Sequence, residues 1–195
     1  MTGEAGAAVT GEGGVAGAGV DGSAGGNAAG TDDSVAGKGA GAALSSADVE
    51  AIRAVFARRL FVMDTKQWED YGPCHTEDVV SESWAASGGA AQVRGREALT
   101  AAIRDTLEGP SPVTSVHHGH TPMIDYSGPD PETGEPTATG IWSMEDRLWW
   151  KVDGRERWLH GWGHYHERYR RVDGRWLISY RRLERIRVDT GWSKS

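Results

Sequence analysis

The chain has 195 residues, 38% hydrophobic and 25% charged, with 28 Gly, nine Trp and a single Cys, a composition that suits one globular domain and excludes a fibrous or disulfide-stapled protein. Residues 1–43 hold 14 of the glycines, 12 alanines and no aromatic residue, too little apolar surface to offset chain entropy, and are expected to form a disordered arm. Of the net charge of −7, the arm supplies −4 and residues 44–195 only −3, which gives no electrostatic reason to expect a nucleic-acid partner.

Met1 to Val20 carries Glu4 and Glu12 and no Lys or Arg, unlike a secretory signal. No stretch approaches the ~20 apolar residues of a membrane span. Cys74 has no partner for an internal bridge, and the expected location is the cytoplasm, without membrane contact.

The expected domain spans residues 44–190, with 191–195 as a tail. Ser45, Ser46 and Asp48 signal a helix start, and Val49, Ile52, Phe56, Leu60 and Met63 recur at three- and four-residue steps, which predicts a helix of about five turns. Trp68 to Tyr71 reads as a short second helix stopped by Gly72-Pro73. A strand from Asp78 to Trp84, a Gly88-Gly89 turn and a short strand at Gln92 to Arg94 follow. Glu97 to Leu107, with Leu99, Ile103 and Leu107 on one face, reads as a third helix ended by Gly109-Pro110. Four long strands are predicted next: Val113 to Tyr126, Thr137 to Val152, Arg155 to Val172 and Arg175 to Val188. Two of their connections are Asp-Gly turns, a strong hairpin signal. The Arg-rich last two strands are read mostly as solvated faces. The fold class is α+β: a curved antiparallel sheet whose apolar face the early helices cover, forming a cup with a pocket.

Alternation singles out one residue. In Thr137 to Val152, Trp142, Met144, Leu148 and Trp150 share a face with Asp146, and a carboxylate there needs a donor or a bulge that returns it to solvent. In the preceding strand, His117, His118 and His120 put three imidazoles within four positions. A His held by an Asp is an oriented general base. Strict alternation puts His118 and His120 on one face and His117 on the other, and Pro122 permits a bulge, so patterning does not choose among them.

These residues resemble the bile-acid 7-alpha-dehydratases in the SnoaL-like branch of the nuclear transport factor 2 superfamily. The resemblance is carried by Ile52 through Met63-Asp64 to Trp68, by His117-His118-Gly119-His120-Thr121-Pro122, by Ala138 to Trp142 with Glu145-Asp146-Arg147-Leu148, and by Tyr169 to Arg185. It implies a cone-shaped α+β barrel, often a homotrimer, with a cofactor-free pocket for a small hydrophobic substrate. Position by position it implies a catalytic His at His117, its partner at Asp146, and further site residues at Asp64 and Arg185. The family's helix-1 Tyr aligns with Arg59, which departs from the pattern: a guanidinium donates with fixed charge and does not return a proton as a phenol does.

The expected activity is dehydration, or a related isomerisation, of a polycyclic hydroxy-ketone or enone. His117 takes and returns the proton, Asp146 orients it, and Arg59 or Arg185 faces the charge developing on oxygen. Asp64 and His120, themselves linked, support the substrate, and Phe56, Trp84, Trp142, Met144, Leu148 and Trp162 line the pocket. Neither cofactor nor metal is expected. The alternatives are a non-catalytic ligand-binding or assembly module, a polyketide cyclase or epoxide-opening enzyme, and a metal protein using His118-x-His120 and His164-x-His166-Glu167.

Overall fold

A computed structural model describes residues 43–84 and 90–193. The expected arm at 1–42 and the Gly88-Gly89 turn lie outside these residues. Helix α1 runs Ser46–Asp64 and opens with the expected capping box, the Ser45 hydroxyl accepting from the Asp48 N–H at 3.1 Å while Asp48 accepts in return. Its Ile52, Phe56, Leu60 and Met63 are buried. The helix ends in a Schellman turn, where the Gln67 N–H donates to the Val62 carbonyl at 2.8 Å and the Lys66 N–H to the Met63 carbonyl at 3.3 Å.

Helix α2 (Trp68–Tyr71) passes through a 3-10 turn at Gly72–Cys74 into β1 (His75–Trp84), followed by β2 (Ala90–Arg94) and α3 (Arg96–Glu108). Strand β1 starts three residues earlier than predicted. The long strands β3 (Thr114–Pro129), β4 (Pro136–Val152), β5 (Arg155–Val172) and β6 (Arg175–Trp192) complete the domain. At both Asp-Gly turns the Asp and the Gly have positive φ, 50° and 77° at Asp153-Gly154 and 49° and 74° at Asp173-Gly174, the conformation that suits a tight hairpin. Gly191 and Trp192 continue β6 by pairing with Trp158 and Arg157, so the expected tail at 191–195 is strand at its start.

The strands form one curved sheet in the order β2-β1-β6-β5-β4-β3. It is open: β2 and β3 are its edges, and β1 runs parallel to β6 while the other neighbours are antiparallel. That one pairing joins segments about a hundred residues apart, beyond the reach of any local turn signal. The inner face meets α1 and α3 in a single core, in which the Phe56 and Trp142 rings stack at 3.6 Å with 1° between planes. No helix among the described residues is long and apolar enough to cross a membrane.

Candidate active site

The end of α1 meets the start of β3, and there the side chains converge. The Asp64 carboxylate accepts three hydrogen bonds: from the His117 backbone N–H at 2.8 Å, the Ser115 hydroxyl at 2.8 Å and the His117 ring Nδ1 at 2.6 Å. Burial pushes the Asp64 carboxyl up, but the His117 ring, the His117 backbone and Ser115 together hold it below the usual carboxylate range. An ionised carboxylate only accepts, so Nδ1 carries the proton and Nε2 is left as the basic nitrogen. The side chains are 10% exposed at His117 and 19% at Asp64, shielded yet reachable.

Both residues line a cleft of about 570 Å³ between α1 and β3. Arg53, Ala57, Leu60, Phe61 and Asp64 contribute one stripe of α1, and His117 to Pro122 contribute β3. Gly119 matters here because a Cβ at that position would collide with the Phe56 ring. The cleft is an open groove, in contrast to the enclosed pocket expected from the sequence.

The structure rearranges the expected partnerships. Asp146 does lie inward, 1% exposed and directly opposite His117 in the β3–β4 register. Its oxygens are taken by Arg185, with Nη1 at 2.8 Å and Nη2 at 2.5 Å. Room for that pair comes from Gly161 on β5, where a Cβ would overlap both Arg185 Nη1 and Asp146 Oδ1. The acid that orients His117 is therefore Asp64, and Asp146 and Arg185 form a separate ion pair.

Arg59 is corrected as well. It is wholly buried, with Nη2 donating to Glu167 Oε1 at 2.7 Å. Glu167 also accepts from the Tyr169 hydroxyl at 2.5 Å, and Trp142 Nε1 donates to that hydroxyl at 2.9 Å. Burial pushes Arg59 down, yet the Glu167 carboxylate raises it above its ordinary value, so the position is a fixed cation in the core, away from the cleft. Arg181, read as part of a solvated face, is 6% exposed and donates to the Tyr71 hydroxyl at 3.2 Å.

The remaining expected residues divide. Phe56 and Trp142 belong to the core and also border the cleft. Met144 is buried in the core, and Leu148 packs against it half-buried. His120 is exposed at the rim, its ring 6.2 Å from that of His118, and its expected link to Asp64 is made by His117 instead. Trp162 faces away from Asp146, its ring tilted by 34° against that of His160 with centroids 3.7 Å apart on the outer side of the sheet, so it does not line the pocket. The side chain of Trp84 lies outside the described residues.

The pattern considered for a metal is split. His166 faces outward, 3.2 Å from Glu184, whereas Glu167 is buried inward. Among the described residues no three His, Cys, Asp or Glu side chains gather as a ligand set. Cys74 is buried and burial pushes its thiol up to about 11, the opposite of an activated nucleophile. Sequence reasoning missed Ser115, Lys66 and Arg53. Ser115 was detectable, since a residue two before His117 shares its face; Arg53 was legible as part of the α1 stripe.

The sequence model of the SnoaL-like domain matches residues 45–182. Among solved structures, a variant of Rv3472, a Mycobacterium tuberculosis protein of unknown function, is similar at 26% identity and a TM-score of 0.54, covering 72% of this chain and 73% of its own. The hexachlorocyclohexane dehydrochlorinase LinA-type3 from Novosphingobium barchaimii LL02 has 14% identity and a TM-score of 0.57, with 74% and 90% covered. A candidate scytalone dehydratase from Novosphingobium aromaticivorans has 19% identity and a TM-score of 0.56, with 73% and 87% covered. The last two likenesses speak to the fold alone.

Proposed function

The chain belongs to the SnoaL-like domain family, and from that premise we propose that it is a cofactor-independent lyase or isomerase whose general base is His117, held by Asp64. The observation that carries this reading is the 2.6 Å contact between His117 Nδ1 and Asp64 Oδ1 at the wall of an apolar cleft. Nε2 takes a proton from a carbon made acidic by a neighbouring carbonyl, the electron pair becomes the new C=C bond, and the group on the next carbon leaves with its bonding pair. The imidazolium, stabilised by Asp64, then gives its proton to the departing hydroxyl, so that water leaves and the base is restored. In a double-bond shift the same proton returns to a different carbon.

The substrate we propose is hydrophobic and elongated. Arg53 and Asp64 stand on one stripe of α1, eleven residues and therefore roughly 16 Å apart along the axis. Arg53 is thus placed for a polar group at the far end of the substrate, not for an oxyanion beside His117. The homotrimer implied by the resemblance remains part of this proposal.

Proton abstraction can be followed whichever group leaves. Purified protein is incubated in deuterium oxide with a panel of polycyclic ketones carrying a β-hydroxyl or β-chlorine, and both deuterium uptake beside the carbonyl and enone absorbance are followed. His117→Ala and Asp64→Asn are each expected to lower both signals by roughly 10²–10⁴-fold while the protein stays folded. Normal turnover in both variants would overturn the assignment. One observation favours a second reading, a non-catalytic binding module: the Phe56–Trp142 stack fills the floor of the cup. Saturable binding of the panel ketones with no deuterium uptake would select it.

A further inference from the structure

The backbone at Lys66 is out of character for its side chain. Lys66 has φ of 61° and occupies the left-handed position of the Schellman turn that ends α1, where glycine carries no steric penalty and a lysine does. A residue held in that region against its preference calls for an accompanying contact. One is present: Lys66 Nζ donates to the Ser115 hydroxyl at 3.1 Å, and that hydroxyl donates to Asp64 Oδ1 at 2.8 Å. Asp64 Oδ1 is also the oxygen that receives His117 Nδ1. Four side chains from α1, the turn that ends it and β3 therefore converge on one carboxylate, Lys66 through Ser115 to Asp64 and His117 directly to Asp64.

We infer that Lys66 is a positioning residue of this site, acting through Ser115 to hold Asp64 in place and to weaken the pull of Asp64 on the His117 proton. The inference rests on His117 as the general base. Its physical content is a balance of charge. Asp64 alone would bind the imidazolium tightly and make the base slow to release its proton; a cation two hydrogen bonds away takes part of that negative charge. The Ser115 hydroxyl spends its one proton on Asp64 and accepts from Lys66, so its orientation is set from both sides.

The other charged groups around the chain leave this balance intact. Across the sheet on β4, Asp146 is neutralised by Arg185 of β6. From α3, Glu108 attracts Lys66, and it is itself paired with Arg104 at 3.2 Å. Arg53 stands at the other end of the cleft, paired with Glu50 at 2.8 Å. Burial lowers the Lys66 ammonium from its ordinary range while Asp64 and Glu108 raise it, with the net direction down, as suits a partly shielded cation that faces a carboxylate.

The test is a histidine-ring NMR titration of His117, which needs no substrate, in full-length wild-type, Lys66→Gly, Lys66→Arg and Ser115→Ala protein. Removing the cation or its bridge leaves Asp64 freer to hold the imidazolium. The His117 midpoint is then expected to rise by about half a pH unit or more in Lys66→Gly and in Ser115→Ala. Lys66→Arg, which keeps the charge, is expected to stay near wild type. The Tm of Lys66→Gly is expected to be unchanged or higher, because glycine relieves the left-handed position. An unmoved midpoint in both Lys66→Gly and Ser115→Ala would overturn the inference, and so would a lower Tm in Lys66→Gly without a midpoint shift, which marks Lys66 as a helix cap alone. A shifted midpoint with no turnover of any ketone upholds the electrostatic role while removing the enzymatic reading.

Discussion

Acidification probes the interior at a residue that takes no part in the cleft. His75, at the start of β1, is fully buried; its Nδ1 donates to the Tyr71 carbonyl at 3.0 Å and Nε2 has no partner among the described residues. Burial, then the nearby Arg59 and Arg181 guanidiniums, push its imidazole down to about 3. In the unfolded chain the ordinary value is about 6.5, so between pH 6.5 and 3 the unfolded state binds the extra proton and stability falls as pH falls. The contribution is fully present above pH 6.5. The whole gap corresponds to ~5 kcal/mol, of which ~2 kcal/mol is lost by pH 5. Urea unfolding of wild type at pH 7.5, 6.0 and 5.0 measures the slope, and His75→Asn, which keeps a donor for Tyr71, provides the comparison. The window stays above the carboxylate range, so the Asp and Glu groups held low by their partners contribute little to it. The variant is expected to lose less stability on acidification than wild type, by up to ~1.4 kcal/mol per pH unit. Equal slopes in the two proteins would refute the reasoning, because a neutral buried imidazole cannot be removed without changing the proton balance.

Glu167→Gln leaves the wholly buried Arg59 without its counter-charge and is expected to destabilise by about 3–5 kcal/mol, measured by urea unfolding at pH 7.5. Asp146→Asn is expected to lower stability by about 2–3 kcal/mol through Arg185 while the folded protein keeps its deuterium-exchange activity; loss of that activity with the fold intact would move the orienting role back to Asp146. Gly119→Ala forces a methyl group against Phe56 and is expected to lower Tm, with a cost of about 1–3 kcal/mol that Phe56→Leu partly restores. Arg53→Ala is expected to raise KM and leave kcat nearly unchanged for substrates with a polar group remote from the reacting carbon, the signature of uniform binding.

Much of the architecture was legible without coordinates. The apolar steps from Ile52 to Met63, the Ser45/Asp48 cap and the two Asp-Gly turns are local signals, each decided within a few residues by backbone sterics and side-chain reach. Alternation also placed Asp146 inward, and it is 1% exposed; it left the three histidines open, and the strand register is what sets His117 opposite Asp146. Partner choice was not legible in the same way. Facing inward says which side of a sheet a carboxylate occupies, whereas a hydrogen bond requires approach to within about 3 Å in the right direction.

Three acids and two arginines meet on that inner side, and tertiary packing sorts them. Arg185 reaches Asp146 because Gly161 on the intervening strand lacks the Cβ that would block it. Arg59 meets Glu167 across 108 residues of chain. Asp64 reaches His117 because the last turn of α1 comes to rest on the first residues of β3. Chain-local chemistry thus determined the elements and their order and narrowed the candidate base to three neighbouring histidines, among which the family resemblance pointed to His117. Which acid serves that base, which arginines are locked in the core, and the one parallel strand pairing were decided by contacts between distant segments, whose ångström-scale geometry no local pattern encodes.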